Sequence, residues 1–222
     1  CSSDLKTAIE SLLDTYLVDL NTGVRKELVD PVMTLDTHRM AIEKDIPQTT
    51  VLVYGPSVKL LSDEYYPSFV FNYILGGGGF SSRLMEQLRE KRGLTYGVKS
   101  SFEYNLPYDG IFTIMLQTET KNAVKAEKLV KEELRKIGKY GVTREELRAA
   151  KDYLIGSYPL RIRTASKLLG YLDTIQRFDI DPEELNLWDD KIESVTLEQI
   201  NDFAKVFAKD QSDFARIFVG RQ

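Results

Sequence analysis

Four consecutive glycines, Gly76 to Gly79, constrain this chain more than any other feature. A glycine inside a helix or strand costs about 0.5–1 kcal/mol relative to alanine. Four together therefore read as neither interior. They suit a turn with positive φ, or a place where another backbone comes close. Ser81 or Ser82 can then cap a helix by accepting a backbone N–H. Leu84, Leu88 and Met85 give that helix one apolar face. Gly93 ends it, with Lys91 and Arg92 placed favourably against the C-terminal end of the helix dipole. Thr95, Tyr96 and Val98 read as strand. Arg89 and Tyr96 lie within this stretch, seven positions apart.

A phosphate cradle is a poor fit to these glycines. A P-loop needs Lys-Ser or Lys-Thr after its last glycine, and none follows here. A dinucleotide site needs Gly-x-Gly-x-x-Gly after a parallel strand, whereas the residues before Gly76 read as helix. A small-molecule or nucleotide binder built on this loop is therefore the weakest of three functional readings.

The segment GGGGFSSRLMEQLREKRGLTYGV resembles the second, C-terminal half of the pitrilysin, insulinase and mitochondrial-processing-peptidase family of zinc metallopeptidases. The resemblance combines the glycine-rich turn, the Ser-Ser-Arg-Leu helix start and Arg-Glu-Lys-Arg-Gly-Leu-Thr-Tyr. It extends over residues 36–222, with residues 1–35 resembling the last helix of a preceding half plus a linker. In that family two similar halves close around a peptide. The first half carries the inverted zinc motif His-x-x-Glu-His. The second lacks it and supplies an Arg and a Tyr that reach the substrate. By position these are Arg89 and Tyr96, with Gly76, Gly77, Gly78 and Gly79 expected to face the same cavity. A guanidinium can donate a fork of hydrogen bonds to a peptide carbonyl. A neutral phenol can donate to the oxygen that becomes negative as water attacks. By residue type alone, Arg89 also reads as a solvated helix charge and Tyr96 as a half-buried strand aromatic.

The resemblance implies zinc in a partner half, fused upstream or separate, and a peptide substrate. It leaves a second reading open: the family includes inactive halves retained as binding or assembly modules. On this chain a hydrolytic zinc site lacks its ligands. The one histidine is His38, the one cysteine is Cys1, and no His-x-x-Glu-His or His-Glu-x-x-His is present. Neither residue makes a Ser–His or Cys–His nucleophile system legible. The pairs Glu132-Glu133, Glu145-Glu146 and Glu183-Glu184 read as helix-start or solvated-face acids. The chain is therefore expected to be catalytically silent by itself, with no catalytic or metal-binding residue of its own.

Composition agrees with a soluble globular protein: 42% hydrophobic, 29% charged, and a formal net charge of −4. That balance gives no bulk electrostatic case for nucleic acid or an anionic membrane, and no apolar run reaches the length of a membrane span. A single cysteine rules out an internal disulfide. The chain does not begin with methionine, so it reads as a processed or excised piece. An N-terminal Cys followed by Ser is compatible with lipidation, although Cys1 leads directly into a helix that looks internal.

Along the chain, Leu5, Ile9, Leu12, Leu13, Tyr16 and Leu17 recur at helical spacing, stopped by Asn21-Thr22-Gly23. Residues 23–35 read as linker. Residues 38–45 alternate as a half-buried strand, and 50–54 form a more apolar one. A helix starts near Ser62. Residues 96–104 and 111–117 are strands joined by Leu106-Pro107-Tyr108-Asp109-Gly110, a hairpin signal; the second is apolar on both faces, as a central strand would be. From Thr120 helices dominate, with capping boxes at Thr143/Glu146 and Thr196/Gln199, a kink or break expected at Pro159, a cap at Asp181-Pro182, and a closing strand at 214–219. This is an α+β pattern, a two-layer, largely antiparallel sheet with helices packed on it. The more specific family architecture is what the resemblance implies.

Overall fold

A computed structural model describes residues 3–19, 23, 39–104, 110–209 and 214–221. Cys1, the linker residues 24–35, His38 and the hairpin residues Leu106 to Asp109 lie outside the described residues. The chain divides into two compact units, Cys1–Asp30 and Pro31–Gln222. The first contains helix α1, Ser3–Leu17, whose apolar positions Leu5, Ile9, Leu12, Leu13, Tyr16 and Leu17 are all exposed.

The second unit is built on five strands: β1 Arg39–Glu43, β2 Thr49–Pro56, β3 Val98–Glu103, β4 Ile111–Thr118 and β5 Ala215–Gly220. Their order is β1-β5-β2-β4-β3, antiparallel throughout except for the parallel β1–β5 pair. Alternation sorts the two faces. Val51 and Val53 of β2, Val98 and Ser100 of β3, and Phe112, Ile114 and Leu116 of β4 are buried. Leu52 and Tyr54 are half-buried and Met115 and Lys99 exposed on the other face. β4 sits between β2 and β3, as its two-sided pattern predicts.

β1 departs from expectation. All five of its residues are exposed, Met40 and Ile42 included. It is an edge strand held by β5 alone, so neither face reaches the core.

Helices pack over the buried face: α2 Tyr65–Asn72, the short α3 Arg83–Met85, α4 Ala123–Tyr140, α5 Arg144–Ile162, α7 Trp188–Ser194 and α8 Leu197–Phe207. Between α5 and α7 runs α6, Ala165–Phe178, none of whose residues is buried. The predicted stripe Ala123, Ala126, Val130, Leu134 and Ile137 of α4 is buried, and Gly141 ends the helix at φ 72°. Both predicted capping boxes form, at Thr143/Glu146 and Thr196/Gln199. α5 is not broken at Pro159 but runs on to Ile162. The proline sits in an exposed stretch near the helix end, where one lost N–H bond is tolerable.

Candidate functional site

The glycine tract is partly helical, contrary to the expectation from propensity. α2 runs into a π-helical turn, Tyr73–Gly77, closed by Gly78 N–H donating to the Tyr73 carbonyl at 2.9 Å. A 3-10 turn, Gly79–Ser81, follows. The two reasons for glycine are nevertheless both present, at different residues. Gly79 has φ +59°. Gly76 is buried where β3 passes: a Cβ there would lie 2.6 Å from Ser100 Oγ and 2.9 Å from Ser100 N. Ser100 is itself tied to Asn72 by a 2.7 Å hydrogen bond.

The serines act on this turn instead of capping the helix. Ser82 occupies the N-cap position with extended backbone, but its hydroxyl donates to the Gly79 carbonyl at 2.7 Å. Ser81 donates to Gly78 O at 2.9 Å. Beyond α3 the chain enters a second π-helical turn, Glu86–Glu90, closed by Lys91 N–H to Glu86 O. Leu84, Met85 and Leu88 are buried as predicted, and Gly93 ends the segment at φ +59°. π-turns inside helices concentrate at functional sites; here one carries Gly76 and Gly77 and the other carries Arg89.

Arg83 anchors the segment. Its guanidinium donates bidentately to Glu146, at 2.6 and 2.7 Å, and to Gly141 O at 3.0 Å. Burial opposes ionisation of Glu146, but Arg83 and the Thr143 N–H outweigh it and hold the carboxyl below its usual range.

Tyr96 is not on a strand. The β3–β4 ladder ends at Val98 opposite Leu116. Beyond it Thr95 Oγ1 donates to Gln117 O at 2.6 Å and accepts from Gly97 N–H at 3.2 Å. Released from the ladder, Tyr96 is 87% exposed. It does not share the buried face of Val98 and Ser100, as alternation predicts.

Arg89 and Tyr96 converge. The Arg89 guanidinium carbon lies 4.9 Å from the Tyr96 ring centroid and 4.4 Å from that of Phe80, which is 65% exposed. Cation–π contacts of this kind contribute about 0.5–1 kcal/mol each at exposed sites. They leave the guanidinium edges uncommitted: no hydrogen bond or ion pair to the Arg89 side chain is present among the described residues. Arg89, Tyr96, Phe80, Gly76, Gly77 and Gly79 line one groove of ≈ 600 Å³, together with Thr95, Lys99, Met115 and Gln117. Gly78 is not among its lining residues; it packs against Tyr73. Sequence reading missed Phe80 and Lys99. The signal for Phe80 was an aromatic directly after the glycine turn, where apolar periodicity gives it no core position.

No group of three or more His, Cys, Asp or Glu residues suitable for a metal ion occurs among the described residues, so they do not fit zinc. No described helix is long and apolar enough to cross a membrane.

The profile of the peptidase M16 inactive domain matches residues 3–154. The chain is 36% identical over 170 residues to the non-peptidase homolog YmxG of Helicobacter pylori, covering 73% of this chain and 37% of that protein. It is 24% identical to the uncharacterized zinc protease YmxG of Bacillus subtilis, over 78% of this chain and 42% of that one. The crystal structure of a peptidase M16 inactive domain from Pseudomonas fluorescens superposes with a TM-score of 0.84 at 27% identity, covering 98% of this chain and 51% of that chain. The chain thus spans about half or less of the length of these three proteins.

Proposed function

This chain belongs to the peptidase M16 inactive-domain family, and on that premise we propose that it is the substrate-clamping, non-zinc-binding half of a zinc metalloendopeptidase. Its task is to hold a peptide for hydrolysis at a zinc site carried by a companion half, fused upstream or supplied as a separate subunit. One observation carries this reading: Arg89 and Tyr96 meet on the wall of one groove, with the glycine turn beside them. The Arg89 fork donates to a peptide carbonyl. The Tyr96 phenol donates to the carbonyl oxygen as it gains negative charge. Phe80 and Tyr96 fix the guanidinium from its ring-facing side, so less side-chain entropy is lost on binding.

Residues 1–35 belong, on this reading, to the preceding half, and residues 36–222 form the clamp domain. The exposed apolar stripe of α1 supports that division, since six large side chains at helical spacing call for a core to cover them.

The alternative, a catalytically inactive binding or assembly module, is favoured by the name of the Helicobacter pylori relative. One experiment separates the two. The chain is combined with its companion half, and wild type is compared with Arg89→Ala and Tyr96→Phe. Removal of the phenol donor is expected to lower kcat by about the hundredfold of an oxyanion donor. Unchanged turnover in both variants favours assembly.

A further inference from the structure

The groove is positively charged although the chain is not. Its lining carries Arg89 and Lys99 and no carboxylate, against a formal net charge of −4 for the whole chain. Lys99 is the second residue of β3, exposed between buried Val98 and Ser100 and paired across the ladder with Met115. Its side chain therefore stands on the outer face of the sheet, at the groove. Other cations of the same segment are occupied: Arg83 with Glu146, Lys91 with Glu86, Arg92 with Gln87. Arg89 and Lys99 have no carboxylate partner among the described residues. Two unneutralised like charges on one concave wall raise its potential, and an anionic ligand relieves it.

We infer that Lys99 is a specificity-determining residue which, with Arg89, makes the groove select extended peptides carrying a carboxylate, either an acidic side chain or a free C-terminus. The inference rests on the clamp reading and deepens it. The two cations have different tasks. The planar fork of Arg89 suits a main-chain carbonyl. The compact ammonium of Lys99, on its flexible stem, suits a carboxylate whose position varies from peptide to peptide.

The test is calorimetric titration of the chain, combined with its companion half and held in chelator, with four alanine-rich peptides. Three are acetylated and amidated and differ only in a central Gln, Glu or Lys. The fourth is the Gln peptide with a free C-terminal carboxylate. Charge-assisted contacts predict the Glu or the free-carboxylate peptide to bind on the order of tenfold tighter than the neutral one, with the Lys peptide weakest. Whichever of the two is tighter identifies the source of the carboxylate. The gap should narrow sharply from about 0.05 M to 0.5 M salt. Lys99→Gln should close most of it, and Lys99→Glu should reverse the order of the Glu and Lys peptides. Equal affinity for all four peptides overturns the inference and leaves the clamp standing. A neutral peptide bound equally by wild type, Arg89→Ala and Tyr96→Phe overturns the clamp itself, whatever the charge preference.

Discussion

Gly76→Ala tests whether the groove is positioned by a close approach of β3 to the glycine turn. The added Cβ would lie 2.6 Å from Ser100 Oγ, 2.9 Å from Ser100 N and 3.0 Å from Leu84 Cδ1. None of these neighbours yields easily. Ser100 Oγ is held by Asn72, Ser100 N belongs to a strand paired with β4, and Leu84 is fully buried. Overpacking of this kind costs about 1–3 kcal/mol. Displacing Ser100 Oγ forfeits one hydrogen bond, about 1 kcal/mol. Alanine regains about 1 kcal/mol of helical propensity in the turn, so the net loss is about 1–3 kcal/mol. For a domain of this size that is a fall in Tm of about 2–12 °C. Two neighbours are controls. A Cβ added at Gly97 would meet no heavy atom within 4 Å, so Gly97→Ala should leave Tm unchanged or slightly raised. At Gly79 there is space but φ is +59°, so Gly79→Ala should cost about 1–2 kcal/mol through backbone strain alone. Thermal unfolding followed by far-UV circular dichroism measures all three. If Gly76→Ala melts with wild type, the close approach does not hold the turn and the reasoning fails.

Two further outcomes are expected. Phe80→Ala removes one of the two rings under Arg89; the lost cation–π contact should lower Tm by about 1–4 °C and, by leaving the guanidinium less fixed, weaken peptide binding about two- to fivefold. Phe80→Tyr should restore binding, and equal affinity in Phe80→Ala would remove the ring from the site. Glu146→Gln keeps the capping-box geometry but removes the charge facing Arg83. Because the folded carboxyl is held low, its contribution is fully present above the ordinary glutamate pKa of about 4.3 and is lost as pH falls through the folded value. The variant should therefore be less stable than wild type at neutral pH by about 1–2 kcal/mol, with the difference in Tm shrinking as the pH drops below about 4. A difference that stays constant to low pH would show that the charge is not what matters.

Much of the fold was legible because its determinants are local. Thr143 and Glu146, or Thr196 and Gln199, satisfy one another's backbone donors across three residues, so the boxes can be read from spacing alone. The central place of β4 was legible from its apolar residues, but not that only one of its faces is buried: Met115 and Gln117 on the other face are exposed. What escaped was long-range. Propensity treats Gly76 as a helix breaker, but it lies in a π-turn where Ser100, brought close by β3, leaves no room for a side chain. β1 has the alternation of a half-buried strand, but its place at the sheet edge was set by pairing with β5, the last strand in sequence.

Tyr96 is the position where such a non-local event decides whether a side chain is buried or exposed. It has the parity of Val98 and Ser100, so a ladder continued by two more residues would have turned its ring towards the helices and the core. The ladder stops because side-chain hydroxyls take over its carbonyls: Thr95 bonds Gln117 O and Thr118 bonds Leu94 O. Those two threonines keep the strands joined, so ending the ladder does not leave buried acceptors unpaired. The phenol is thereby freed to stand in the groove beside Arg89. Strand propensity predicts Thr95 as a β-former; the structure uses its hydroxyl to end the strand. The exposure of the Tyr96 phenol follows from the strand's termination, where two backbone carbonyls accept hydrogen bonds from threonine hydroxyls instead of from amides.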